Sequence, residues 1–329
     1  MLFKLFRLGA IIIVSFIFVF KFFSRDQPQD LPVVAITQII SHKTLDTVRN
    51  GLIKSLETQG FIDGKTIKVI YDNAHGNTSV AAQITKKFIA LHPKVIVALS
   101  TTSAQLLMKP AQDAGIPLVF SAVTDPITAG LVSAYDKTID GVTGISDYMP
   151  SEPQLEMIAA FIPAIKKLGV LYNPGETNSV AFLNQMEQKA KQHGIIFVRG
   201  AVNTTAEAAT VAKSLIGKID ALFFPNDNTT MAAAAAVAQV AKNNGIPLFA
   251  NDSESVKDGA LAAMAYDRIA MGEKTAEIVG GILSGKSTGA YPVSYDVPSE
   301  IVVNQQTLEK LQLAIPPVLS QKIRAISGS

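Results

Sequence analysis

Cysteine and tryptophan are both absent from the 329 residues. Without cysteine there is no disulfide framework, iron–sulfur cluster, thiolate-bound zinc or lipid-modified cysteine, so an acylated lipoprotein is excluded. Charge is also scarce, at 17%, against 48% hydrophobic residues. That balance excludes a disordered chain and supplies enough apolar surface for large cores. The four histidines, His42, His75, His92 and His193, fall in no metal-binding spacing, so neither a metal nor another cofactor is expected. His92 and His193 end helical patterns, where a cation complements the helix dipole, whereas His42 follows the first strand on the side where a ligand would sit. There is no G-x-S-x-G elbow and no acid–histidine spacing that proposes a triad, so the chain does not read as an enzyme.

The formal charge of +2 misleads, because Lys4, Arg7, Lys21 and Arg25 all precede the first acid. Without them, 25 basic residues face 27 acidic ones. No later Lys/Arg stripe is present, which argues against nucleic acid as a partner. Residues 1–23 pair a basic start with an apolar run from Leu8 to Phe20, the anatomy of an export signal, and no A-x-A-like cleavage site follows. Export to the periplasm is expected, with an uncleaved inner-membrane tether as the alternative.

The length suggests roughly two domains. From Pro32 onward, short β-rich runs alternate with longer helical patterns, as in parallel α/β sheets. One series predicts strands at Val33–Thr37, Thr66–Asp72, Val95–Leu99, Pro117–Val123 and Val142–Ile145. A second predicts them at Leu168–Tyr172, Ile195–Val202, Ala221–Phe224 and Pro247–Ala250. The six residues Ala114–Val119 are echoed by Asn244–Phe249, each placing a helix-ending Gly before a strand-opening Pro. The expected fold is therefore two Rossmann-like lobes with parallel sheets. A helix at Ile269–Leu283 and extended stretches at Tyr291–Val297 and Glu300–Asn304 follow, and should cross between the lobes in a multi-strand hinge. The expected boundaries are 1–31 for the signal or anchor, 32–146 plus 268–290 for lobe I, and 147–267 plus 291–329 for lobe II.

Ligands of open parallel sheets sit outside the carboxyl ends of the strands. The loops there are polar: Thr37-Gln38, Ser100-Thr101-Thr102, Thr124-Asp125, Asn173 to Glu176, Asn226-Asp227-Asn228 and Asn251-Asp252-Ser253. Two such rims facing each other make a cleft, and helix-capping residues leave amides aimed into it. By contrast, Gly280–Ser287 satisfies G-x-x-x-x-G-K-S but ends a helix instead of opening one. Gly285 then reads as a helix terminus, and nucleotide binding is not expected.

The stretch Gly169-Val170-Leu171-Tyr172-Asn173-Pro174-Gly175-Glu176-Thr177-Asn178-Ser179 closely resembles the opening of the second lobe in ABC-transporter substrate-binding proteins of the tryptophan/tyrosine-binding type. The resemblance continues in Val123–Pro126, Thr143–Asp147, Pro225–Asn228, Gly259–Ala263 and Val302–Asn304, and so covers nearly everything from Val33 on. It implies a type I-like periplasmic-binding-protein fold that closes on a small molecule, an amino acid that in some relatives is aromatic, and delivers it to an inner-membrane permease and its ATPase. It implies lobe I contacts at Gln38, Ser100, Thr101, Thr102 and Asp125, and lobe II contacts at Tyr172, Asn173, Asn226, Asp227 and Asp252. Hydroxyls and helix-end amides suit a carboxylate and an Asp suits an ammonium, while Tyr172 or Tyr148 offers a stacking face. A monomer is expected. A ligand-sensing module on the same fold, tethered by the leader, is the alternative that stays open.

Overall fold

The segment Val95–Leu99 reads VIVAL and every residue in it is buried, as in a central strand of a sheet covered on both faces. In the computed structural model, which describes residues 31–134 and 140–327, it is the middle of a five-stranded parallel sheet. The export signal expected at 1–23 lies outside the described residues.

Lobe I is built from β1 (Val33–Gln38), α1 (Lys43–Thr58), β2 (Lys68–Asn73), α2 (Thr78–Ala90), β3 (Val95–Leu99), α3 (Thr101–Asp113), β4 (Leu118–Val123) and β5 (Val142–Ser146), with strand order β2-β1-β3-β4-β5. Lobe II follows as α4 (Ser151–Phe161), β6 (Lys167–Tyr172), α5 (Thr177–Gln192), β7 (Ile196–Ala201), α6 (Ala208–Leu215), β8 (Ala221–Phe223), α7 (Asn228–Met231), α8 (Ala234–Asn244), β9 (Leu248–Ala250), α9 (Ser253–Lys257) and β10 (Ala262–Tyr266). Helix α10 (Arg268–Leu283) then returns to lobe I, before β11 (Ser299–Asn304), α11 (Gln305–Lys310) and β12 (Ile323–Ile326) complete a seven-stranded sheet of order β12-β11-β10-β9-β8-β6-β7. In that sheet β11 runs antiparallel to β10, which the sequence reading did not anticipate.

The sequence echo is a structural one. Gly115 and Gly245 both adopt left-handed backbone, φ 65° and 64°, and so end their helices in the conformation glycine takes without a Cβ penalty. The prolines two positions on open the next strand: Pro117 and Pro247 each give their carbonyl to the neighbouring strand, at Ile96 and Leu222.

The chain passes between the sheets at Asp147–Pro150, at Asp267 and at 296–298. One boundary differs from the expectation that 291–329 belongs to lobe II. Ser294 donates its amide to Gly144 and accepts from Ser146, while Val293 and Val297 are buried among lobe I side chains. The stretch 291–297 therefore covers the free edge of β5, and lobe II resumes only with β11. Helix α10 lies against α1 through two glycines. A Cβ on Gly272 would stand 2.4 Å from the Val48 carbonyl oxygen, and one on Gly51 would stand 3.0 Å from that of Ile269. This close approach fixes where the first residue of α10, Arg268, emerges. At the other end of α10 the P-loop-like sequence is a packing device. A Cβ on Gly281 would strike the Tyr291 hydroxyl, and Gly285 ends the helix at φ 95°.

Candidate functional site

Strand ends and helix starts of both lobes converge on a chamber lined by His42, Thr44, Ser100, Thr101, Thr124, Asp147, Asn178, Asn226, Asn228, Met231 and Arg268. Its volume is about 20 Å3, room for roughly one water. Two backbone positions on its lobe I wall are strained. Ser100, just before α3, has φ 86°, and Ala122 has φ 56° where the register between β4 and β5 slips. For residues other than glycine each costs on the order of 1–3 kcal/mol, which the surrounding sheet must offset, and such strain collects at ligand sites. Here it turns Ser100 and Thr101 toward the cleft and leaves the start of α3 without a side-chain cap, so its first amides remain available to an anion.

The charged centre comes from the crossings. Arg268 donates to Asp147 at 2.7 Å, and both side chains are about 4% exposed. Asn226 donates to the same Asp147 Oδ2 at 3.0 Å and accepts from Arg268 at 3.4 Å. Each partner nevertheless keeps a buried atom without a hydrogen bond: Asp147 Oδ1, Arg268 Nε and, across the chamber, Asn178 Oδ1. Buried polar atoms are rarely left so, because each costs about 1–3 kcal/mol. Two acceptors and a cationic donor facing one chamber complement a small molecule that carries an ammonium and a carboxylate. His42 completes the wall. Burial pushes its imidazole down to about 4, against the pull of Asp252, and Arg268 lowers it further, so the ring is neutral at pH 7.

Two larger spaces flank the chamber. One, of about 150 Å3, runs past His42, Thr44 and Met231 to Lys43, Asp252, Glu254 and Asp258. There the lobes are tied together by Thr44 donating to Asp252 at 3.1 Å and Lys43 to Asp258 at 2.5 Å. The other, of about 180 Å3, lies between the Thr124–Thr128 loop and α5, with Tyr148 and Phe182 in its walls.

Of the residues expected from sequence, the structure brings Ser100, Thr101 and Asn226 to the chamber, Asp125 to the space beside α5 and Asp252 to the one at Lys43. Thr102 is half-buried and lines none of these three spaces. Gln38 is wholly buried but turned away, donating to Asp46 at 3.0 Å and accepting from Arg49 at 3.0 Å. Tyr172 packs in the lobe II core, with the Arg199 guanidinium 5.9 Å from its ring. Asn173 and Asp227 bind each other: Asp227 accepts the Asn173 amide at 2.5 Å and caps α7 at the Thr230 amide, 2.8 Å. Glu176 lies beside them, accepting from the Asn228 and Thr229 amides, each at 3.0 Å. Burial and the neighbouring Asp227 carboxylate raise it to about 7. These acids hold the lobe II rim in shape.

Sequence reasoning did not assign Asp147, Arg268, Asn178 or Asn228 to the site. Asp147 and Asn178 stood inside quoted motifs, but no spacing linked either to Arg268. His193 stands at the C-terminal end of α5, as the sequence suggested, and its ring also meets Glu152 at 2.6 Å. Among the described residues no group of three or more His, Asp or Glu could hold a metal ion, and no helix is long and apolar enough to cross a membrane.

Residues 33–325 match the sequence profile of the family described as ABC transporter substrate binding protein. A protein named tyrosine-binding protein, from Clostridioides difficile, is 36% identical over 280 residues, covering 85% of this chain and 81% of that one. Among solved structures, a conserved domain protein from Vibrio cholerae is 33% identical with a TM-score of 0.84, covering 89% of this chain and 99% of that one. A Streptococcus domain in complex with L-Trp is 28% identical, also at 0.84, over 90% and 99%. A ligand-free, open substrate-binding protein from Clostridium difficile is more alike in sequence, 34% over 91% and 100%, yet scores 0.66. The chain superposes better on the L-Trp complex than on the ligand-free, open protein, and the Thr44–Asp252 and Lys43–Asp258 bonds join its two lobes across the cleft.

Proposed function

Because the chain belongs to the ABC transporter substrate-binding protein family, it is a solute-binding component, and we propose that its solute is a free amino acid with an aromatic side chain, held as the zwitterion between the lobes. The observation that carries this reading is the set of buried atoms left without partners. Asp147 Oδ1 and Asn178 Oδ1 would accept from the ammonium, and Arg268 Nε, with the hydroxyls and amides at the start of α3, would donate to the carboxylate. Charge-assisted bonds of this kind contribute about 1.5–3 kcal/mol each. The names of the tyrosine-binding relative and of the L-Trp complex support an aromatic side chain.

Substrate-binding proteins of this family work outside the cytoplasm. The basic, apolar start of the chain supports export to the periplasm, where a monomer would hand its ligand to a permease driven by an ATPase. Ligand drives closure only through its greater affinity for the closed state, and the chamber is formed by both lobes. Neutral His42 and a paired Asp147 suit capture and release of an unaltered ligand.

A thermal-shift series on the protein tests the reading. L-Trp or L-Tyr at 100 times its dissociation constant should add about 2.7 kcal/mol of stability, and solution scattering should show compaction. Stabilisation by sugars and by no amino acid would reject it.

A further inference from the structure

The charged chamber presents groups that complement the ammonium and carboxylate of an amino acid, but at about 20 Å3 it has no room for a side chain, so the ring must lie on one side of it or the other. We propose that the side chain passes between Thr124 and Asn178 into the adjoining space and lies against Tyr148 and Phe182, making this wall of the cleft the specificity determinant. The inference rests on the amino-acid reading above.

Thr124 and Asn178 line both spaces and so form the aperture between them. The unpartnered Asn178 Oδ1 marks one end of the ammonium site, which places the ligand Cα at that aperture. Beyond it the space is about 180 Å3, against about 20 Å3 in the chamber, and its walls are prepared for a ring. Tyr148 is fixed from three directions. Its amide donates to Ser146 Oγ at 3.0 Å, its carbonyl accepts from the Tyr266 hydroxyl at 2.5 Å, and its own hydroxyl accepts from Gln185 at 3.1 Å. Phe182 is buried and tilted against Phe223, with ring centres 6.2 Å apart. Aromatic pairs held at such separations prefer offset or edge-to-face contact and add about 0.5–1.5 kcal/mol beyond their buried area.

The opposite opening, at Met231, Ala234 and Ala235, is less suited to a ring because the lobes are tied together there. It is bordered by Lys43, Asp252, Glu254 and Asp258, and a ring there would separate the Lys43–Asp258 and Thr44–Asp252 bonds that tie the lobes together while desolvating charge. The Tyr148 side is lined by polar groups as well, Thr124, Asp125, Thr128, Asn178 and Gln185, with Tyr148, Phe182 and Ala181 supplying its ring-bearing and apolar face. Asp125 accepts from the Ile127 and Thr128 amides and from the Thr128 hydroxyl and retains lone-pair capacity, and Gln185 is exposed. A phenol O–H or an indole N–H, each a donor at the far end of a flat ring, would meet acceptors there.

The test fills each space in turn in the whole protein. Ala181 lines the Tyr148 side and Ala235 the Met231 side, and both lie on helices where leucine is accepted. Calorimetric titration with L-Trp, L-Tyr and L-alanine is read beside the melting temperature. Ala181→Leu should weaken L-Trp and L-Tyr at least tenfold and leave L-alanine within twofold, whereas Ala235→Leu should leave all three within twofold. Phe182→Leu, which keeps most of the buried volume, should weaken the aromatic ligands and spare L-alanine. The reverse pattern, with Ala235→Leu blocking aromatic ligands and Ala181→Leu harmless, would overturn the assignment of the subsite while leaving the amino-acid reading intact. A wild-type protein that binds no amino acid would overturn both.

Discussion

Asp147 and Arg268 stand 121 positions apart in sequence and meet at 2.7 Å in a pair about 4% exposed, each at a point where the chain crosses between the lobes. The pair therefore lies at the hinge and at the ligand chamber at once. Breaking a buried pair by removing one partner costs about 3–5 kcal/mol, because the other charge is left uncompensated.

Asp147→Asn keeps the size of the side chain and removes its charge. It should lower the unfolding free energy by a few kcal/mol and weaken amino-acid binding by about 10- to 150-fold, the equivalent of one charge-assisted bond. Urea denaturation and calorimetric titration of the same variant check both. Unchanged affinity would remove Asp147 from the ammonium site.

His42 gives a pH dependence whose sign follows from its low value of about 4 in the closed structure. An imidazole in water titrates near 6.5. Between those values an opened or unfolded chain takes up a proton that the closed form does not. Closure is thus favoured above pH 6.5 and weakens as pH falls toward 4, by up to about 1.4 kcal/mol per pH unit. Affinity measured from pH 7.5 to 4.5 should fall over this window in the native protein, and His42→Asn should flatten that part of the profile.

Asp227 anchors the rim without facing the chamber. Asp227→Ala leaves the Asn173 and Thr230 amides without their acceptor and removes a helix cap, so stability should fall by about 2–4 kcal/mol. Affinity at a temperature where the variant is folded should stay within about threefold. A hundredfold loss of affinity at unchanged stability would return Asp227 to the ligand.

Gly272→Ala would push a methyl group to 2.4 Å from the Val48 carbonyl oxygen and 2.7 Å from the Leu52 amide nitrogen, both backbone atoms that cannot rotate away. Overpacking of this kind costs about 1–3 kcal/mol, and because Arg268 lies one turn earlier on the same helix, binding should weaken too. Gly289→Ala, whose nearest contact would be an ordinary 3.7 Å, is the control and should be neutral. Equal melting temperatures for the two would show that α10 has slack against α1.

What the sequence determined by itself was the periodic architecture. Val95–Leu99 was legible as a strand because a buried parallel strand must be apolar throughout, and the Gly-Ile-Pro-Leu echo was legible because left-handed φ and a missing amide are written in glycine and proline. The sequence also located the rims, since ligand loops follow strand ends and their polar composition is local. It misread the roles within those rims. Asp227 and Asn173 look like ligand contacts from one lobe alone, yet Asp227 accepts the Asn173 backbone amide and the Asn173 side chain donates to the Thr229 hydroxyl, a geometry that needs three dimensions to see. Gln38 was drawn inward by Asp46 and Arg49 one helical turn apart, and 291–297 was drawn to lobe I because β5 offered an open edge. The chamber itself was decided only by tertiary structure. Asp147, Asn178 and Arg268 come from different crossings and lobes, and what makes them a site is that each keeps a buried polar atom unpaired after the lobes have closed, a property of burial that no spacing along the chain records.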